Sequence, residues 1–140
     1  FFKGPGSTAL KPGDVVVSIE FPLPPKGLQG TYLKLGRNKS SDLSIVGVTA
    51  VGYPDADTVS GYRLKVALAS VAPTPLVVEK VEEILAATAI SEESIAEAAE
   101  AAFQAATPID DVRGGAQYRK IMSRNLSKNA LTVVWEKLGR

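Results

Sequence analysis

The 140-residue sequence contains neither cysteine nor histidine. The absence of cysteine excludes disulfides, thiolate zinc sites, a cysteine nucleophile and ligation of an iron–sulfur cluster by the chain's own thiolates. The absence of histidine removes the commonest general base and metal ligand and makes a Ser-His-Asp triad impossible. We therefore predict no catalytic residue and no metal ligand, and the residue chemistry alone favours a binding or assembly module.

The chain also lacks a charge excess and a long apolar run. Its 16 basic and 15 acidic residues leave a net charge of +1, too little to draw it strongly to nucleic acid or a membrane surface. No apolar stretch approaches the roughly 20 residues that span a bilayer. The length suits one domain with its own core. Because the chain begins at Phe1 and not at methionine, we expect a piece of a longer protein or a processed form.

The first half of the sequence predicts strands separated by turns. After a connecting loop over residues 1–14, the β-branched run 14–21 predicts a strand buried on both faces, which a proline-rich stretch then ends. Further strands are predicted at 32–35, 43–53 and 59–71, with a polar loop at 37–42. In the last of these strands apolar and polar residues alternate, which is typical of a sheet with one face on a core.

The second half predicts three helices, at 77–87, from the N-cap Ser91 onward, and at 115–138. Since the strands precede the helices, we predict an α+β fold, in which an antiparallel β-sheet of about four strands is packed on one face by three α-helices.

The segment Ala106–Arg119 separates the last two helices and predicts a structural corner. Pro108 opposes continuation of the preceding helix, and Gly114 and Gly115 permit a tight turn. The segment also holds two carboxylates and a guanidinium that can pin the corner by charge-assisted hydrogen bonds, namely Asp110, Asp111 and Arg113. Adjacent carboxylates point in different directions, so an acid–base pair is disfavoured.

Two basic clusters leave alternatives open. The last helix carries a stripe that is either a solvated outer face or a partner-binding face: Arg119, Lys120, Arg124 and Lys128. A second cluster after a predicted strand is either a solubilising loop or an anion or cofactor contact: Lys34, Arg37, Asn38 and Lys39. The segment Gly4–Thr8 lacks the spacing of a phosphate loop.

Several segments taken in order resemble one family. They are Phe1–Asp14, Val16–Pro22, Tyr32–Arg37, Asp42–Val48, Val71–Pro75, and Pro108–Gly114 with Tyr118–Arg119. Together they are similar to the C-terminal part of the FAD-binding (medium) subunit of the molybdenum hydroxylases, the family of xanthine dehydrogenases and carbon-monoxide dehydrogenases. The resemblance implies that residues 1–27 are a tail and strand of the preceding FAD-binding domain and that 28–140 form the C-terminal α+β domain.

The resemblance also implies a function. Such subunits are cytoplasmic and receive electrons from molybdopterin through iron–sulfur clusters onto FAD. The implied partners are an N-terminal FAD-binding domain, a molybdopterin-binding large subunit and a two-iron two-sulfur small subunit. The alternative is an assembly domain of the same fold without flavin contact.

The resemblance further assigns residues to the flavin site. Lys34 matches a lysine close to the flavin ring, where its charge would favour the anionic reduced flavin, and Val16 matches an aliphatic residue packed on that ring. The loop 37–42 matches one that helps to gate the acceptor side in xanthine dehydrogenases, although Asn38 and Ser41 stand where those relatives commonly have charges. Because the family's pyrophosphate-gripping glycines precede Phe1, we expect weak or no FAD binding by this chain alone.

Overall fold

The computed structural model describes residues 1–38 and 41–139. A short hairpin of β1 (Phe2–Gly4) and β2 (Ser7–Thr8) precedes an antiparallel sheet with the strand order β3-β4-β5-β6. These four strands are β3 (Gln29–Leu35), β4 (Val46–Pro54), β5 (Tyr62–Ala69) and β6 (Leu76–Val77). Three helices follow: α1 (Glu79–Ala87), α2 (Glu92–Ala105) and α3 (Ala116–Leu138). The predicted α+β class is confirmed.

The core lies between the sheet and the helices. Alternate residues of β5, Leu64, Val66 and Leu68, are buried, and their neighbours on the strand are more accessible, as the alternation predicts. Gly52 on β4 lets α3 approach the sheet closely, since a Cβ there would lie 2.9 Å from a methyl carbon of Val134. Glycine at this position therefore determines how near the longest helix can pack.

The helix starts follow the predicted chemistry. The Ser91 hydroxyl accepts a hydrogen bond from the Ser94 amide at 3.2 Å, and the Ser94 hydroxyl accepts one from the Ser91 amide at 2.8 Å. This reciprocal pair is a capping box and begins α2. At α3 the Asp110 carboxylate accepts a hydrogen bond from the Ala116 amide at 2.6 Å, so it satisfies a free N–H of the first turn.

The predicted strand at 14–21 is wrong. The segment is not a strand, and Val17 and Phe21 are 94% and 84% exposed. A β-branched run forms a strand only when another strand supplies hydrogen-bond partners, and no strand of the described residues pairs with it. The predicted loop at 1–14 likewise contains the β1–β2 hairpin.

The predicted basic stripe of α3 also needs correction, because Arg119 is only 3% exposed. The core-facing side of α3 runs through Arg119, Ser123, Ser127, Ala130, Leu131 and Val134. Its neighbour Tyr118 is 47% exposed, so the aromatic side chain and not the guanidinium meets the solvent at the start of this helix. Within the described residues, no helix combines the length and the apolar character needed to cross a membrane.

Candidate functional site

One face of the four-stranded sheet is turned away from the helices, and we call it the open face. The register places Lys34 opposite Gly47, and Gly47 opposite Ala69. Two residues along each strand, Tyr32 lies opposite Thr49. Because side chains two apart on a strand share a face, these residues form one continuous surface, on which Lys34, Tyr32 and Thr49 are exposed.

The Lys34 side chain is held at the edge of the sheet. Its Nζ donates a hydrogen bond to the backbone carbonyl of Asp42 at 2.6 Å. This bond ties the end of β3 to the loop that leads into β4, and the Ile45 amide closes that loop by donating to the Leu35 carbonyl at 2.7 Å. An ammonium carries three donor hydrogens, so Lys34 can still meet a ligand on the open face.

The Asp42 carboxylate organises the described part of this loop. It accepts hydrogen bonds from the backbone amides of Arg37 and Asn38 and faces the Arg37 guanidinium at 3.8 Å. The Arg37 amide is the main reason that the pKa of Asp42 lies below its ordinary value. Of the predicted basic cluster, Lys34, Arg37 and Asn38 lie around this carboxylate, whereas Lys39 is outside the described residues.

Val16, the other predicted contact residue, lies in the segment without helix or strand that precedes β3. It is 49% exposed and belongs to no strand. Lys34 lies within the sheet, so the two predicted flavin contacts come from different parts of the structure.

The second charged constellation lies at the corner between α2 and α3. The Arg119 guanidinium donates to the carbonyls of Ile45 at 3.3 Å, Ser70 at 3.0 Å and Gly114 at 3.3 Å, and to Asp111 at 2.5 Å. It thus joins the corner to the ends of β4 and β5.

Asp111 is the acceptor at the centre of the corner. Hydrogen bonds from the side chain and backbone amide of Arg113, with a further contribution from Arg119, hold the pKa of Asp111 well below its usual range. A cleft of about 250 Å³ lies beside this pair. Because the corner's charged groups bind one another, their arrangement stabilises the fold, as the sequence predicts for Asp111 and Arg113.

Sequence reasoning missed the burial of Arg119. A signal was present in the spacing, because Ser123, Ser127 and Leu131 follow Arg119 at intervals of four and form the buried face. Because Ser123 and Ser127 are small polar residues, this spacing does not resemble the apolar stripe that usually marks the buried face of a helix. Among the described residues, no group of three or more acidic side chains could hold a metal ion.

Comparison with known proteins gives a family match. The sequence profile described as "CO dehydrogenase flavoprotein C-terminal domain" matches residues 31–134. The carbon monoxide dehydrogenase medium chain of Hydrogenophaga pseudoflava is 35% identical over 135 residues, covering 96% of this chain and 46% of that protein. A putative xanthine dehydrogenase FAD-binding subunit of Escherichia coli K12 is 24% identical, covering 94% of this chain and 45% of that protein.

The fold has a solved counterpart. A structure of carbon monoxide dehydrogenase from Hydrogenophaga pseudoflava, which lacks the Mo-pyranopterin moiety of the molybdenum cofactor, superimposes with a TM-score of 0.87 at 35% identity. The match covers 98% of this chain and 47% of that one. The chain therefore spans just under half the length of the relatives that it matches.

Proposed function

This chain belongs to the CO dehydrogenase flavoprotein C-terminal domain family, and on that premise we propose that it forms one wall of a flavin site. It is the C-terminal domain of an FAD-binding subunit of the molybdenum hydroxylase type. In the proposed role, electrons travel from molybdopterin through iron–sulfur clusters to the FAD that this subunit binds. The bound FAD supplies the redox chemistry, and this chain supplies orientation and charge.

The observation that carries the proposal is the position of Lys34. Its ammonium stands on the open face, and its hydrogen bond to the Asp42 carbonyl limits where it can move. The neighbouring residues Thr49 and Ala69 are small, so they leave a low surface beside Lys34 that suits a planar ring system. A fixed positive charge at the edge of that surface favours an anionic reduced flavin over the neutral oxidised form.

Residues 1–27 are proposed to belong to the preceding domain of the complete subunit. The exposure of large apolar side chains supports this, since Val15, Val17 and Ile19 are 79%, 94% and 73% exposed, and such runs mark contact surfaces. In that setting Val16 would pack on the flavin ring. We also propose that most of the FAD affinity resides in that domain, so that residues 1–140 alone bind FAD weakly.

The proposed partners are a molybdopterin-binding large subunit and a two-iron two-sulfur small subunit. The outer side of α3 is a candidate docking face. There Lys120 Nζ and the Arg124 guanidinium lie 4.9 and 5.6 Å from the centre of the Phe103 ring, and Lys128 is exposed. Positive side chains along this side of the helix suit an acidic partner surface.

The test replaces Lys34 with glutamine in the complete FAD-loaded subunit and measures the flavin midpoint potential. Removing the charge should lower the potential, because the anionic reduced flavin loses its counter-charge. The matched control is Lys65→Gln. Lys65 shares the face by register but lies roughly 17 Å away and pairs with Glu82 at 3.1 Å.

Two results would overturn the proposal. If Lys34→Gln leaves the midpoint potential unchanged, the domain has the alternative role of an assembly module without flavin contact. If Lys65→Gln lowers the potential as much as Lys34→Gln does, the effect is one of overall charge and not of a flavin contact.

A further inference from the structure

On the open face the Tyr32 ring lies against the backbone of Gly47, at a position that a side chain at residue 47 would obstruct. A Cβ built at Gly47 would lie 2.8 Å from the Tyr32 hydroxyl oxygen and 3.3 Å from Cε2 of its ring. The ring therefore lies across β4, over the backbone of Gly47, and Gly47 is buried although it faces away from the helices. A residue with a side chain at position 47 would displace the ring from this position.

The position of the Tyr32 ring over Gly47 places it next to Lys34. Gly47 is the register partner of Lys34, so a ring over Gly47 covers the position directly across from that lysine. Tyr32 and Lys34 are two apart on β3, which places their side chains on the same face about 7 Å apart along the strand. The open face thus presents a ring and an ammonium side by side.

The ring is poorly suited to a purely structural task. Tyr32 remains 55% exposed, so its second face and its edge are not used by the core. Among the described residues its hydroxyl has no hydrogen-bond partner. An exposed aromatic ring beside a fixed cation is an arrangement that recognises a planar ligand with a polar edge.

Resting on the function proposed above, we propose that Tyr32 is a flavin-contacting residue. Its ring lies over Gly47 and forms the surface against which the flavin packs, beside Lys34. Gly47 acts as a positioning residue, because its missing side chain determines where the ring lies. The family resemblance assigns flavin contacts only to Lys34 and Val16, so it does not include Tyr32 or Gly47.

The test measures the dissociation constant for FAD by titrating the apo form of the complete subunit. Tyr32→Leu should raise it about 3- to 10-fold, the range expected for loss of one aromatic contact. Tyr32→Phe keeps the ring and should stay within about 2-fold. The matched control Tyr53→Leu removes a tyrosine from the same face roughly 20 Å further along β4 and should also stay within that range.

The substitution Gly47→Ala tests whether Gly47 determines the position of the Tyr32 ring. It should raise the dissociation constant when Tyr32 is present and have no effect in the Tyr32→Leu background, because both changes act through one ring. Additive effects of the two substitutions would overturn the role of Gly47. Circular dichroism of each variant establishes that the fold is retained.

The outcomes separate this inference from the proposed function. If Lys34→Gln lowers the flavin potential but Tyr32→Leu binds FAD like the wild type, the flavin site stands and the Tyr32 contact is refuted. If neither substitution has an effect, both are refuted. An equal loss of affinity in Tyr32→Leu and Tyr53→Leu would indicate general destabilisation and overturn the contact.

Discussion

Replacing Arg119 with methionine removes the link between the α2–α3 corner and the sheet. Methionine keeps most of the unbranched stem, so the packing loss is small and the loss of hydrogen bonds dominates. The carbonyls of Ile45 and Ser70 lose their guanidinium donor. A buried unsatisfied carbonyl costs about 1–3 kcal/mol. The Ser70 carbonyl is only partly buried, beside the corner cleft, so we expect a total loss of about 2–4 kcal/mol.

The assay is equilibrium unfolding in urea, followed by far-ultraviolet circular dichroism, with Arg124→Met as the matched control. Arg124 lies on the same helix, and its guanidinium faces Glu100 at 3.3 Å with both side chains about half exposed. Such surface pairs contribute about 0–1 kcal/mol. If the two variants differ by less than about 1 kcal/mol in their free energy of unfolding, the role assigned to Arg119 is refuted.

Three further predictions concern the fold. Gly52→Ala should destabilise it by about 1–3 kcal/mol, because the new Cβ would overlap α3, whereas Gly30→Ala on the exposed edge strand should have little effect in the same urea assay. Ser91→Ala removes one half of the capping box and should cost about 1 kcal/mol; an unchanged melting temperature would contradict this. The folded-state pKa of Asp111 lies below its ordinary value of 3.8, so its stabilising effect is present above that value and lost as the pH falls below it. The stability advantage of the wild type over Asp111→Asn should therefore hold above about pH 5 and shrink in acid, and a pH-independent difference would refute the ion pair.

Most of the described secondary structure from Gln29 to Leu138 follows from local patterns, although the two-residue strand β6 (Leu76–Val77) was not predicted. The alternation in β5 and the N-cap Ser91 could be predicted because both are local properties. One is a period of two along a strand, and the other is a hydroxyl before a helical run. The strand ends shifted by a few residues, since β4 begins at Val46 only after the Asp42 loop closes. The assembly of these elements into an α+β layer also followed from their order.

The segment 14–21 shows where local pattern stops being sufficient. Its β-branched residues have the composition of a buried strand, yet a strand exists only where a neighbouring backbone supplies donors and acceptors. The composition indicates a preference for burial, but the neighbouring strand that would supply the hydrogen bonds must come from another part of the chain.

Sequence by itself determined the class of fold, the corner at Ala106–Arg119 and the absence of cysteine and histidine chemistry, and its resemblance to a family named Lys34 as a candidate contact. Only the tertiary structure decided that Arg119 is buried and that Tyr32 lies over Gly47. Both depend on which residues of distant strands and helices face each other. The register of a sheet and the depth at which a helix packs are set by the whole core and not by any one segment.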